Sequence, residues 1–341
     1  MSVSSSTVAL VGSWLDLIDD RRSATTELAL AWSHDATRVS VFTDATPTIR
    51  EELAACGVTC WPEGAFGRHF AHHEFDHAVV MVGPRLDSVL ALARSADEGS
   101  HVWLQHDVVD SDGFPIDAPD GWLVDVIASA RSVIVGSDWL AGVVRRLSPD
   151  GPPVLVMPPA HPVVEPIIET PDRSITLIGG GERVHQYLAD TLSTHIIRLD
   201  VDDMTSSVRE PRVLSTRAGV EIRTNERGFA STTVTHMMAR GIPTITNLDA
   251  HSAFASGALA TSGLVIVDGD ERSNDEIGAT LVELLRPVLD DDREWLAAST
   301  AAKATAASWT WSDAADVLAQ WMSAVDELEP STVRVVGSVG S

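Results

Sequence analysis

The chain has 341 residues, a formal net charge of −25 and 44% hydrophobic content, which suits two globular domains better than one. Its anionic field, with Lys303 the only lysine, repels phosphate backbones and anionic lipid surfaces and so argues against nucleic-acid binding and polybasic membrane docking. No run of about 20 apolar residues occurs, and the opening MSVSSSTVALVGSW lacks the basic and long apolar regions of a secretory leader, so a cytoplasmic protein with no membrane-spanning segment is expected.

The first half alternates strand and helix patterns. Thr7 to Val11 is an apolar run ending at Gly12, and a helical pattern follows from Ala24 to Ser33. Arg38 to Thr43 predicts a strand, Thr48 to Ala55 a helix, and Val58 to Trp61 a short apolar segment. Ala78 to Val82 is a further strand, Leu86 to Arg94 a helix, and Val102 to Gln105 a strand running into His106. Helices at Trp122 to Ala130 and Trp139 to Leu147 flank a strand at Ser132 to Val135, and Val154 to Met157 closes the set. Cys56 and Cys60, in CGVTC, are not spaced as CxxC and have no second pair, so buried or incidental thiols are expected.

A proline-dense hinge is placed at roughly Pro158 to Asp172, after which the alternation restarts. Ile175 to Ile178 predicts a strand ending in Gly179, Gly180 and Gly181, followed by a helix from Arg183 to Leu192 and a strand at His195 to Leu199. Apolar segments at Arg212 to Ser215 and Val220 to Arg223 lead to the loop TNERGFAS and a helix from Thr232 to Arg240. Strands at Pro243 to Thr246 and Leu264 to Val267 precede helices at Asp275 to Leu289 and Ser312 to Leu328, with a small Ala-rich helix between them. Helices between strands without tight hairpin signals predict parallel, doubly wound sheets in both halves. The domains are therefore expected at 1–160 and 172–311, with a final helix at 312–329 and a disordered tail at 330–341.

Open α/β sheets bind ligands beyond the carboxyl ends of their strands, where helix amino ends offer unpaired N–H groups. That rule selects Gly12 with Ser13, His106, the Gly179 to Arg183 turn, and the loop from Thr224 to Thr233. In the last, Ala230, Ser231, Thr232 and Thr233 put little bulk at a helix start, which suits either a pyrophosphate or an ordinary N-cap on Ser231 or Thr232. GGGERV is not GxGxxG, so a nicotinamide-binding domain is disfavoured, and its glycines give either close approach to phosphates or a tight turn. His69, His72, His73 and His77, with Glu74 and Asp76 among them, fit a solvated loop better than a metal site, because no HExxH helix is present.

The stretch MMARGIPTIT, followed by a loop and then GLVIVDGD, resembles the carboxyl-terminal signature of family-4-like retaining glycosyltransferases, E-G-F-G-x-x-x-x-E-A-M-A-x-G-x-P-V-V. SVIVGSDWLAGVVRRL with VLVMPPAHP resembles that family's last amino-terminal strand, helix and hinge, and SWTWSDAADVLAQWM its closing turn and final helix. WLQHD resembles its strand-end histidine beside the donor sugar. The resemblance implies the GT-B fold, two Rossmann-like doubly wound domains facing a cleft, and transfer of a sugar from a nucleotide diphosphate sugar with retention, without metal or cofactor.

On that resemblance His106 and Glu226 are the catalytic candidates. Gly180, Gly181, Arg183, Arg223, Gly228, Phe229, Ala230, Ser231, Thr232 and His236 are candidates for donor binding, and Gly12 and Ser13 for an unknown acceptor. Glu226 matches the family's first glutamate only with one residue inserted, and His236 replaces the second. The family's G-R-x-x-x-x-K-G turn has no match, leaving Arg183, then Arg217, Arg223 and Arg227, to neutralise the pyrophosphate. These departures carry an alternative expectation, a catalytically degenerate GT-B protein that binds or scaffolds. A nucleotide-sugar epimerase is a third.

Overall fold

A computed structural model describes residues 7–12, 24–33, 38–43, 45–66, 69, 75–82, 100–104, 108–109, 113–115, 121–157, 160–161, 167, 170–199, 216–223, 231–248, 255, 258–267, 273–307 and 309–328. The sequence-predicted segments at 86–94 and 212–215 and the tail at 330–341 lie outside these residues.

The first sheet contains β1 (Thr7–Val11), β2 (Arg38–Phe42), β3 (Thr59–Trp61), β4 (His77–Val82), β5 (Ser100–Leu104), β6 (Ser132–Val135) and β7 (Val154–Val156). All neighbours pair in parallel in the order β3-β2-β1-β4-β5-β6-β7. Runs such as HAVVMV and SVIV are apolar at nearly every position because both faces of a parallel sheet are covered. One face packs on α3 (Trp122–Ser129) and α4 (Asp138–Leu147), whose buried side chains join Val11, Val80, Val102 and Val135. The other carries α1 (Ala24–Ser33) and α2 (Pro47–Ala55), which bury Leu28, Trp32, Ile49 and Leu53 against Leu10, Val41 and Ile134. Sequence marks the helix starts: Thr46 accepts from the Ile49 N–H ahead of Pro47, and Ser137 accepts from the Leu140 N–H.

The second sheet has β8 (Ser174–Gly179), β9 (His195–Leu199), β10 (Ala218–Ile222), β11 (Thr244–Thr246) and β12 (Leu264–Ile266), parallel in the order β12-β11-β10-β8-β9. Helix α5 (Gly181–Leu192) and α8 (Asn274–Asp290) bury Val184, Leu188, Ile277 and Leu281 on one face. On the other lies α6 (Thr232–Arg240), backed by α9 (Asp292–Ala306), with the short α7 (Leu259–Ser262) beside it. The Ala-rich segment, expected to be small, forms the whole 15-residue α9, since its alanines Ala298, Ala302 and Ala306 allow close packing under α6 and α7.

The chain crosses between the two units twice, and the crossings are hydrogen-bonded. Ala160 lies in the first core and Ile167 packs with the second. On the return, Trp309 lies in the second core and Trp311 in the first. The His161 N–H donates to the Trp309 carbonyl at 2.8 Å, and the Trp311 N–H to the His161 carbonyl at 3.2 Å. Helix α10 (Trp311–Leu328) then lies on the first domain, burying Ala315, Leu318 and Met322 beside α1, with Trp32 Nε1 donating to the Ala315 carbonyl at 2.9 Å. Its end reaches the sheet's amino edge: Trp321 Nε1 donates to Ser132 Oγ at 2.9 Å, and Arg131 pairs with Asp326 at 2.9 Å. Ser132 Oγ is also 2.8 Å from Nδ1 of His101, a fully buried histidine whose ring is 5.7 Å from that of His77. No helix among the described residues is long and apolar enough to cross a membrane.

Candidate functional site

Helix α5 leaves β8 toward one face of the second sheet, whereas α6 follows β10 onto the other. Because β8 and β10 are neighbours, their carboxyl ends open a switch-point crevice, the usual ligand position in such sheets. The Gly180 N–H donates to the Ile222 carbonyl at 2.9 Å, which places the glycine turn directly beside Arg223.

The two helix starts at this crevice differ. Gly179, Gly180 and Gly181 all have φ near +70° (68°, 73° and 69°), a left-handed path that side-chain-bearing residues avoid. Gly180 is the N-cap of α5 and supplies no side-chain cap, so the first-turn N–H groups are not taken up by a capping side chain. Arg183 stands in that turn, exposed and without an ion-pair partner among the described residues. Glu182 faces away from this role: it pairs with Arg198 of β9 and lies 3.7 Å from His185.

The start of α6 is closed by its own residues. Ser231 is buried, and its Oγ accepts from the Thr233 and Val234 N–H groups at 3.2 and 3.4 Å. The same hydroxyl donates to Glu221 Oε2 at 2.6 Å, so its hydrogen-bonding capacity is spent. Of the two readings open at this helix, Ser231 is the N-cap, and Thr232 is its exposed first residue. Glu221 itself is 0% exposed, and its Oε1 accepts from Arg223 Nε at 2.7 Å. Asn247 fixes the Arg223 backbone from both sides, accepting its N–H at 2.8 Å and donating to its carbonyl at 2.6 Å.

His236 lies one turn into α6. Burial first, then Arg240 and His161, push its pKa down to about 4, so the ring is neutral at pH 7. Arg217 is taken up elsewhere, bonded to the Val288 carbonyl and to Asp292. In the first domain, Gly12 ends β1 at the β1–β4 switch point, its N–H donating to the Phe42 carbonyl and its carbonyl accepting from Thr25 Oγ1. Ser13, His106, Glu226, Arg227, Gly228, Phe229 and Ala230 lie outside the described residues, as do His72 and His73. His69 packs against Trp61 and Phe42, while His77 stands beside Asp326. No group of three or more metal-ligating side chains occurs among the described residues. Cys56 and Cys60 are free, and burial raises the Cys60 thiol pKa.

Sequence reasoning missed Glu221 and Asn247. The available signal was a carboxylate inside the apolar strand AGVEI, two residues from an arginine and so on the same strand face. Asn247 carries no comparable mark, because its partner Arg223 is brought to it only by the β10–β11 pairing.

Two parallel α/β sheets, each with a carboxyl-edge crevice, a double crossing and a last helix returned to the first domain define the GT-B fold of glycosyltransferases. Solved structures share it over nearly the whole chain. Anabaena HepE in complex with UDP-glucose matches with 11% identity and TM-score 0.61, covering 94% of this chain and 100% of that one. A glycosyltransferase from Rickettsia africae ESF-5 gives 10% identity and TM-score 0.64 over 96% and 100% of the two chains. Sucrose-phosphate synthase from Thermosynechococcus elongatus gives 11% and 0.60 over 95% and 100%. At these identities the likeness is one of fold. No protein-family model matches the sequence, and no curated protein matches it.

Proposed function

We propose that the protein is a cytoplasmic glycosyltransferase that moves a sugar from a nucleoside diphosphate sugar to an acceptor, with retention at the anomeric carbon. The observation that carries this reading is the open amino end of α5, beside Arg183 and at the switch point of the second sheet. Oriented N–H groups and a cation there suit a diphosphate leaving group, whose charge grows as the sugar departs. The complexes of HepE with UDP and with UDP-glucose support the same ligand class. The closed start of α6 moves the favoured diphosphate position from the Ser231–Thr232 end to the Gly180–Arg183 turn, with Arg223 across the crevice.

In this reading Glu226, in the chain after β10, and His106, after β5, meet the sugar, with Gly228, Phe229, Ala230 and His236 completing the donor side. Gly12 and Ser13 serve the acceptor. Catalysis rests on positioning and on charge stabilisation by arginines and helix dipoles, with no metal or cofactor required.

Calorimetry with UDP, GDP and their sugars, followed by donor-hydrolysis and transfer assays, tests the proposal. Arg183→Ala is expected to weaken nucleotide binding roughly tenfold, as loss of one charge-assisted contact does, with unchanged melting. Unchanged affinity in that variant removes the assigned diphosphate position. The replaced second glutamate, His236, favours one other reading, a degenerate GT-B binding protein, which nucleotide binding without turnover across a broad acceptor panel would support.

A further inference from the structure

Glu221 stands out in the second domain. It is a carboxylate with 0% exposure inside a central strand, where an apolar residue would serve the fold more simply. Its side chain leaves β10 on the α6 face, opposite Val220 and Ile222, which belong to the core under α5. There it reaches Arg223 Nε at 2.7 Å and Ser231 Oγ at 2.6 Å. One buried anion thus joins the end of β10 to the start of α6. The guanidinium is held by its Nε edge, and the Asn247 clamp fixes the backbone that carries it. Arg223 is 8% exposed, and the Gly180 turn is hydrogen-bonded to the residue just before it.

We infer that Glu221 is a positioning residue for the nucleotide's diphosphate, acting through Arg223, whose guanidinium plane it fixes at the switch point beside the Gly180–Arg183 turn. The inference rests on the donor reading above. Without the carboxylate, the buried guanidinium loses a charged partner and the orientation that partner imposes. A flexible cation costs a bound phosphate more ordering than a fixed one, so affinity should fall even where the fold survives.

The test is a double-mutant cycle on UDP affinity, or GDP affinity if the wild type prefers GDP, using Glu221→Gln, Arg223→Gln and the pair. Calorimetry gives the affinities, and ligand-free melting is followed in parallel. Each single variant is expected to bind at least roughly tenfold more weakly, with the pair little worse than either. Glu221→Asp, which keeps the charge, should recover part of the loss seen in Glu221→Gln. A purely structural Glu221 would lower the melting temperature and leave the affinity of the folded protein unchanged, which overturns the inference. Additive losses in the pair overturn it as well. If Glu221→Gln does not fold, Arg223→Gln alone decides: wild-type affinity in that variant refutes the role. A wild-type protein that binds no nucleotide of the panel refutes the donor reading itself, whereas wild-type binding matched by Glu221→Gln refutes only Glu221.

Discussion

Acidification should loosen the first domain through His101, and its environment sets the size of the effect. The residue is 0% exposed on β5, bonded through Nδ1 to Ser132, with no partner for Nε2 among the described residues. Burial first, then the nearby His77 and Arg131, push its pKa down to about 3 from the ordinary 6.5. Because the folded value lies below the unfolded one, the unfolded chain takes up the proton first. Stability is therefore lost as pH falls from 6.5 toward 3, at about 1.4 kcal/mol per pH unit for this one group. Between pH 6.5 and 4.5 the loss is about 2.3 kcal/mol, a large share of the margin that usually holds a domain folded. His236, lowered to about 4, and the carboxylates add their own slopes, so the measurement must isolate His101. Denaturant unfolding of wild type and His101→Asn at half-unit steps from pH 7.5 to 4.5 does so. Asparagine keeps a polar group near the Nδ1 position and cannot titrate, and groups distant from it cancel in the difference, leaving His101 together with its coupling to His77. The variant's curve should be flatter by the slope given above, whatever its stability at pH 7.5. Parallel curves would refute the reasoning and mean that His101 gains its proton without resistance.

Two further outcomes follow from packing. Gly263→Ala should destabilise by about 2–4 kcal/mol, because φ is +68° and the new Cβ would overlap the Ala302 backbone of α9; a thermal melt that stays at the wild-type midpoint would contradict it. Leu318→Ala should cost about 2–5 kcal/mol by opening a cavity between α10 and the first sheet, read by denaturant unfolding, with amide exchange rising first along α10.

Much of the architecture is legible in the sequence because parallel strands buried on both faces leave short apolar blocks. TVALV, HAVVMV and SITLIG each mark a strand, and the glycines at 12 and 179–181 mark where two of them stop. The glycine turn with Arg183 is legible for the same reason, being local in sequence. What is not legible depends on pairing across distance. Ser231 looks equally like a phosphate contact or a cap until Glu221, ten residues earlier on β10, is seen to accept the hydrogen bond from its hydroxyl. His236 reads as a ribose partner by its spacing from Gly241 and Pro243, yet its neutral state follows from Arg240, His161 and burial. The length of α9 is not legible because an alanine-rich helix shows little amphipathic contrast, and its packing under α6 becomes apparent only in three dimensions.

The double crossing at His161 and Thr310 has a consequence for biosynthesis. Trp311, Ala315, Leu318 and Met322 occupy the face of the first sheet that Leu28, Trp32 and Leu10 leave open. A ribosome delivers these residues only after the whole second domain has been made. The amino-terminal half must therefore wait, with part of its apolar face uncovered, for the final helix to arrive. Chains released before Trp311 would present that face to solvent as an aggregation-prone surface.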